Sequence, residues 1–93
     1  MAQDLKSSKV LLHEMSKNLQ THNQFAAFVR HLTQSLHDHP EEWQNQDLPS
    51  YLEALAAWVD DMEGYYKSQG ATLPLQPSWR TLAEIMLAAR VYE

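Results

Sequence analysis

An all-α fold, a single-domain bundle of about four helices, is what this chain predicts, and three observations carry that reading. Apolar residues recur at three-, four- and seven-residue spacings, no window alternates with period two, and Pro40, Pro49, Gly70, Pro74 and Pro77 punctuate the periodic stretches. Ninety-three residues make one domain, 1–93, because a chain this short buries only ~60–65% of its unfolded surface around a single core. An apolar content of 44%, with three Trp, four Tyr and two Phe, supplies that core and argues against disorder.

The first helix is expected from Asp4 to Leu19, where Leu5, Leu12, Met15 and Leu19 share one face. Thr21 or Asn23 can cap the second, whose apolar positions Phe25, Phe28, Val29, Leu32 and Leu36 hold the helical period until Pro40 ends it. A third helix opens with Asp47 or Leu48 at the cap and Pro49 in its first turn, and runs to Gln69 before Gly70 supplies a left-handed stop. Leu48, Leu52, Leu55, Val59, Met62 and Tyr66 centre one face and form its expected core side, with Glu53, Asp60 and Gly64 opposite. Gly64 costs this helix roughly 1 kcal/mol relative to Ala, which implies a close backbone approach there or a helix that ends or kinks near Met62. Pro74 and Pro77 break the next connection, and Pro77 is placed to open a last helix carrying Trp79, Leu82, Ala83, Met86 and Ala89. The two long inner helices are the expected spine.

Charge is placed unevenly. No Lys or Arg lies between Arg30 and Lys67, while eight of the twelve acids do, so residues 31–66 sum to −8 in a chain of net −5. Such a slab favours a basic partner or a divalent cation over nucleic acid, whose phosphates need more positive charge than Lys6, Lys9, Lys17 and Arg30 provide. The chain has no cysteine, which fits a reducing compartment, and its N-terminus lacks the apolar run of a secretory signal. Its longest apolar runs are far short of the ~20 residues a spanning helix needs. A cytoplasmic protein without membrane contact is the expectation.

Within the slab, Tyr51, Trp58 and Tyr65 recur every seven residues along one edge of the third helix, beside Asp60, Asp61 and Glu63. Aromatics bordering acids have the composition of an interface hot spot, so Trp58, Asp60, Asp61, Glu63, Tyr65 and Tyr66 are the candidate partner-binding residues. The plainer alternative is that the aromatic stripe packs on the first or fourth helix. Successive acids on a helix diverge by ~100°, so Asp60, Asp61 and Glu63 close on a metal only with help from Glu41, Glu42 or Glu84. The five histidines lack the spacing of a zinc site, and His37 and His39 fit a helix C-terminus as dipole partners. With two glycines there is no phosphate loop, and no catalytic residue, cofactor or metal site is expected.

Three stretches carry a resemblance: Trp43-Gln44-Asn45 with Leu48; Tyr51-Leu52-Glu53-Ala54 with Trp58, Asp61-Met62 and Gly64-Tyr65-Tyr66; and Pro77-Ser78-Trp79 leading to Ala83, Leu87-Ala88-Ala89 and Tyr92-Glu93. Through them residues 22–93 resemble a family of small bacterial proteins known only as a domain of unknown function. The resemblance implies no activity. It implies structural roles for Trp43, which would cap the core, for Asn45, which would hold the loop by bonding nearby backbone, and for Tyr92 at a docked chain end. Trp79 is expected in the core.

The function these readings favour is a small acidic protein-binding module, an immunity- or antitoxin-like inhibitor of a basic protein in its narrowest form. A divalent-metal-dependent hydrolase using the third-helix carboxylates is one alternative, and a structural homo-oligomer subunit is another.

Overall fold

The computed structural model describes residues 8–92. The expected first-helix start at Asp4 and Leu5, and the closing Glu93, lie outside the described residues. The helices are α1 (Ser8–Lys17), α2 (His22–Asp38), α3 (Leu48–Ser68) and α4 (Trp79–Ala89), with a 3-10 turn at Pro40–Glu42. Among the described residues there is no strand, and no helix is long and apolar enough to cross a membrane.

Local chemistry sets the boundaries. Thr21 closes a capping box on α2: its Oγ1 accepts the Gln24 amide at 3.2 Å, while Gln24 Oε1 accepts the amides of Gln20 and Thr21 at 2.7 and 3.3 Å. Asp47 Oδ1 takes the Ser50 amide at 2.9 Å to start α3, and Ser78 Oγ takes the Thr81 amide at 3.1 Å to start α4. Pro77 therefore precedes the cap of α4 instead of opening the helix. At the far end of α3, Gly70 adopts φ +75°, and the Ala71 and Gly70 amides donate to Tyr66 and Lys67 carbonyls at 2.8 and 3.0 Å. This is a Schellman stop, and it satisfies carbonyls that the helix end would otherwise leave bare.

Helix α3 runs unbroken through Gly64 to Ser68, so the alternative of a helix ending near Met62 does not occur. Nothing lies within 4 Å of where a Gly64 Cβ would sit, so no close approach occurs either. The residue faces solvent, and its propensity cost goes uncompensated.

The expected spine is also corrected. Helix α4 contacts α1, α2 and α3, whereas α3 packs chiefly on α4. Between Trp79 and Ala89 only Arg80 and Glu84 are charged, and they pair with each other at 3.4 Å, so α4 can be enclosed on several sides. Leu12, Leu19, Phe28, Leu32, Trp43, Ala83 and Leu87 form the main core, drawn from α1, α2, α4 and the loops beside them. Trp43 is buried there, with its indole N–H donating to Ser35 Oγ at 3.1 Å. Trp79, expected in the core, is instead 37% exposed at the rim, its ring 5.3 Å from that of Phe25. Helix α3 is laid over α4 from outside this core.

Candidate functional site

How α3 sits on α4 decides what the surface offers. The leucine face expected to be buried is largely outside: Leu48 is 67% exposed, Leu52 51% and Val59 43%. Of that face Met62 is buried as expected and Leu55 and Tyr66 are half-buried; Ala54 is buried too, with Tyr51 and Trp58 half-buried, so the helix is rolled toward its aromatic edge. Two physical terms favour that roll. Each aromatic ring removes ~150–250 Å² from water when buried. The phenols also bond across the helix pair, Tyr51 O–H donating to the Met86 carbonyl at 2.9 Å and Tyr66 O–H to Glu84 Oε1 at 3.4 Å. A leucine stripe offers no such bond.

Burial pushes the Tyr51 phenol up to about 12, with the nearby Arg90 charge opposing. Tyr66 rises from burial and from the Glu84 carboxylate beside it.

The loop before α3 fastens the C-terminus of α4. Asn45 Nδ2 donates to the Ala89 and Tyr92 carbonyls at 3.0 and 2.9 Å, and the Gln44 and Asn45 amides both donate to the Arg90 carbonyl at 2.9 Å. One short loop thus satisfies three carbonyls at the chain end. The tail it holds brings Tyr92 onto α3, where the ring lies edge-on to Trp58 at 5.3 Å and the hydroxyl donates to Asp61 Oδ2. That bond raises the Tyr92 phenol. Trp58 also packs against the Tyr65 ring in a tilted pair, centroids 4.9 Å apart.

The six candidate partner-binding residues therefore divide. Asp60 and Glu63 are exposed on the outward side of α3, near Leu48, Leu52, Ala56 and Val59. Trp58 turns toward the tail and Tyr66 toward α4, Tyr65 is 47% exposed beside the Trp58 ring, and Asp61 is exposed but engaged by Tyr92. At ~100° per residue Trp58 and Tyr65 lie roughly opposite Asp60 and Glu63, while Asp61 falls between the two sides and Tyr66 is in line with Leu48. No base interrupts the outward side between Leu48 and Tyr66.

Among the described residues, Asp60, Asp61 and Glu63 join no cluster of three potential metal ligands. His39, Glu41 and Glu42 do, with ligand atoms within 4.8 Å of one another, on the surface at the 3-10 turn. Glu84 is engaged by Arg80 and Tyr66. His37 lies 3.0 Å from Asp38, and hydrogen bonds from His37 and Gln34 hold that carboxyl below the usual range.

Arg90 was not foreseen. It is 3% exposed, donates Nε–H to the Leu87 carbonyl at 3.1 Å, and sets its guanidinium 5.8 Å from the Trp43 ring centroid. Burial lowers its pKa from the ordinary value, with Glu42 and Tyr51 pulling the other way. The one signal in the sequence was a lone base closing the apolar run Ile85–Ala89.

Residues 21–93 match the model of a family described as being of unknown function, so the match begins at the α2 cap and leaves α1 outside. No curated protein and no solved structure matches the chain.

Proposed function

Because the chain belongs to DUF7660, a family of unknown function that brings no activity with it, we propose from its surface alone that it is a protein-binding module for a basic partner. One observation carries this reading: the outward side of α3 sets exposed Leu48, Leu52 and Val59 beside Glu53, Asp60 and Glu63, with no Lys or Arg before Lys67 in the last turn. A basic amphipathic segment fits both features, burying apolar side chains on the leucines while its cations meet the acids. A second copy of the same face fits less well, since it would bring acid against acid. The narrowest form is an inhibitor of a basic toxin in the cytoplasm, steered to its target by the −8 of residues 31–66.

Asp60→Lys with Glu63→Lys tests it, both side chains being exposed and outside every hydrogen bond described above. Asp61→Lys does not serve, because it would release Tyr92. Wild type and the double variant should be compared for capture from native lysate, and the captured protein then purified and titrated at two salt concentrations. A basic protein bound at least tenfold more weakly by the variant, and more weakly at high salt, is the expected result. Equal binding would remove this face as the interface. A concentration-dependent dimer in light scattering would favour the homo-oligomer. A melting rise with millimolar Mg²⁺ or Mn²⁺ would favour the metal-dependent hydrolase.

A further inference from the structure

The exposed apolar residues of α3 are spaced as a seam. Leu48, Leu52, Leu55 and Val59 follow one another at intervals of four, three and four, the rhythm of a and d positions in a heptad, which keeps them within about 60° of one another. Leu48, Leu52 and Val59 are exposed and Leu55 is half-buried. Met62 and Tyr66 continue the register but belong to the bundle, one buried and the other half-buried. The free length therefore runs from Leu48 to Val59, about 16 Å at ~1.5 Å per residue. Such a seam is narrower than the stripe through which a helix joins a globular core. It suits a second helix crossing at about 20°, each leucine entering a hole between the partner's side chains.

The flanks of the seam narrow the occupant further. Tyr51 and Trp58, on one flank, are already engaged: the Tyr51 hydroxyl bonds the Met86 carbonyl at 2.9 Å, and the Trp58 ring lies 5.3 Å from that of Tyr92. On the other flank Glu53, Asp60 and Glu63 are exposed, with the small residue Ala56 among them. An extended segment docks by adding to a sheet edge, and there is no strand among the described residues to receive it. A proline-rich segment needs an open aromatic groove, and the rings beside the seam are packed elsewhere. An α-helix satisfies its own backbone bonds and presents an apolar stripe of matching period. Bases beside that stripe would meet the three carboxylates.

We infer that the outward side of α3 receives a basic amphipathic α-helix of about four turns, its leucine seam along Leu48, Leu52, Leu55 and Val59 and its Lys and Arg side chains against Glu53, Asp60 and Glu63. The inference rests on the protein-binding reading and adds to it the conformation, length and register of the bound segment.

The probe is a synthetic peptide of roughly three heptads with Leu at a and d, Lys at b and e, and Ala and Gln elsewhere. One control keeps every Leu and Lys but carries Pro at two inner Ala positions, which breaks the helix. The other replaces each Lys with Glu. Calorimetric titration should give the Lys peptide a Kd on the order of 10 μM, with both controls weaker by about tenfold or more. Circular dichroism should show helicity gained on mixing, beyond the sum of the separate spectra. Leu52→Gln/Val59→Gln and Asp60→Lys/Glu63→Lys, all at exposed positions, should each weaken the Lys peptide by about tenfold or more. Equal binding of the Lys and Pro peptides would overturn the helix and leave a basic partner in place. Equal binding by wild type and Leu52→Gln/Val59→Gln would overturn the seam in the same way. Equal binding by wild type and Asp60→Lys/Glu63→Lys would instead remove the basic partner, and the inference with it. A dimer of the chain that Leu52→Gln/Val59→Gln abolishes would assign the seam to a second copy, and absence of binding by the Lys peptide would overturn the helix outright.

Discussion

At the scale of single residues, two glycines six positions apart, Gly64 and Gly70, behave oppositely for one reason, the sign of φ. Gly64 has ordinary helical backbone and open space around its missing Cβ. Gly64→Ala should therefore stabilise the protein by up to about 1 kcal/mol, by restricting the unfolded chain and improving helix propensity. Gly70 sits at φ +75°, where a Cβ meets the following carbonyl, so Gly70→Ala should cost about 1–2 kcal/mol. Thermal melts of the two variants should move in opposite directions, and a loss in Gly64→Ala would mean that α3 bends there after all. Asn45 works at the same scale: one amide group reaching Ala89 and Tyr92, 44 and 47 residues away, holds the chain end that carries Tyr92 to Asp61.

At the scale of elements, the roll of α3 makes a prediction that separates its two apolar faces. Leu52→Gln alters an outward position and should change stability by no more than about 0.5 kcal/mol, whereas Met62→Ala removes a side chain 6% exposed and should cost about 2–5 kcal/mol. Urea midpoints decide this, and similar losses in both would put the leucines back in the core. The existence and approximate ends of α2, α3 and α4 were legible, because Thr21, Asp47, Gly70 and the prolines act through local bonds and backbone geometry. The roll of α3 was not. Leu48, Leu52, Leu55 and Val59 make as good an apolar stripe as Tyr51, Ala54 and Trp58, with Met62 on their border, and a hydrophobic period cannot rank two adjoining stripes. What ranks them is α4, whose Met86 carbonyl and Glu84 carboxylate receive the phenols of Tyr51 and Tyr66.

At the scale of the whole molecule, these phenols couple stability to alkaline pH. An ordinary phenol titrates near 10, and burial raises Tyr51 to about 12, so folding favours the neutral form. Its contribution is complete below about pH 10 and is lost as pH rises through 12. Tyr66 and Tyr92 are raised too, so their losses add in the same direction. Helicity followed against pH should fall in this window, and Tyr51→Phe, less stable at neutral pH for want of the Met86 bond, should lose less of its remaining stability there. Parallel alkaline profiles for the two proteins would show that Tyr51 is not enclosed. Charge is distributed on the same scale, with Glu53, Asp60 and Glu63 outward on α3 and Arg90 enclosed beside Trp43.

By itself the sequence determined an all-α chain, its caps and stops, the acidity of residues 31–66 and the family to which residues 21–93 belong. Each of these follows from neighbours within a few positions, or from composition. Only the tertiary structure decided that α4 is the central helix, that Trp58 and Tyr65 turn from the outward side while Leu48, Leu52 and Val59 occupy it, and that Arg90 is buried beside Trp43. Those outcomes depend on which surfaces meet, and the free energy of a packed face belongs to both partners, so neither helix's own residues specify it alone.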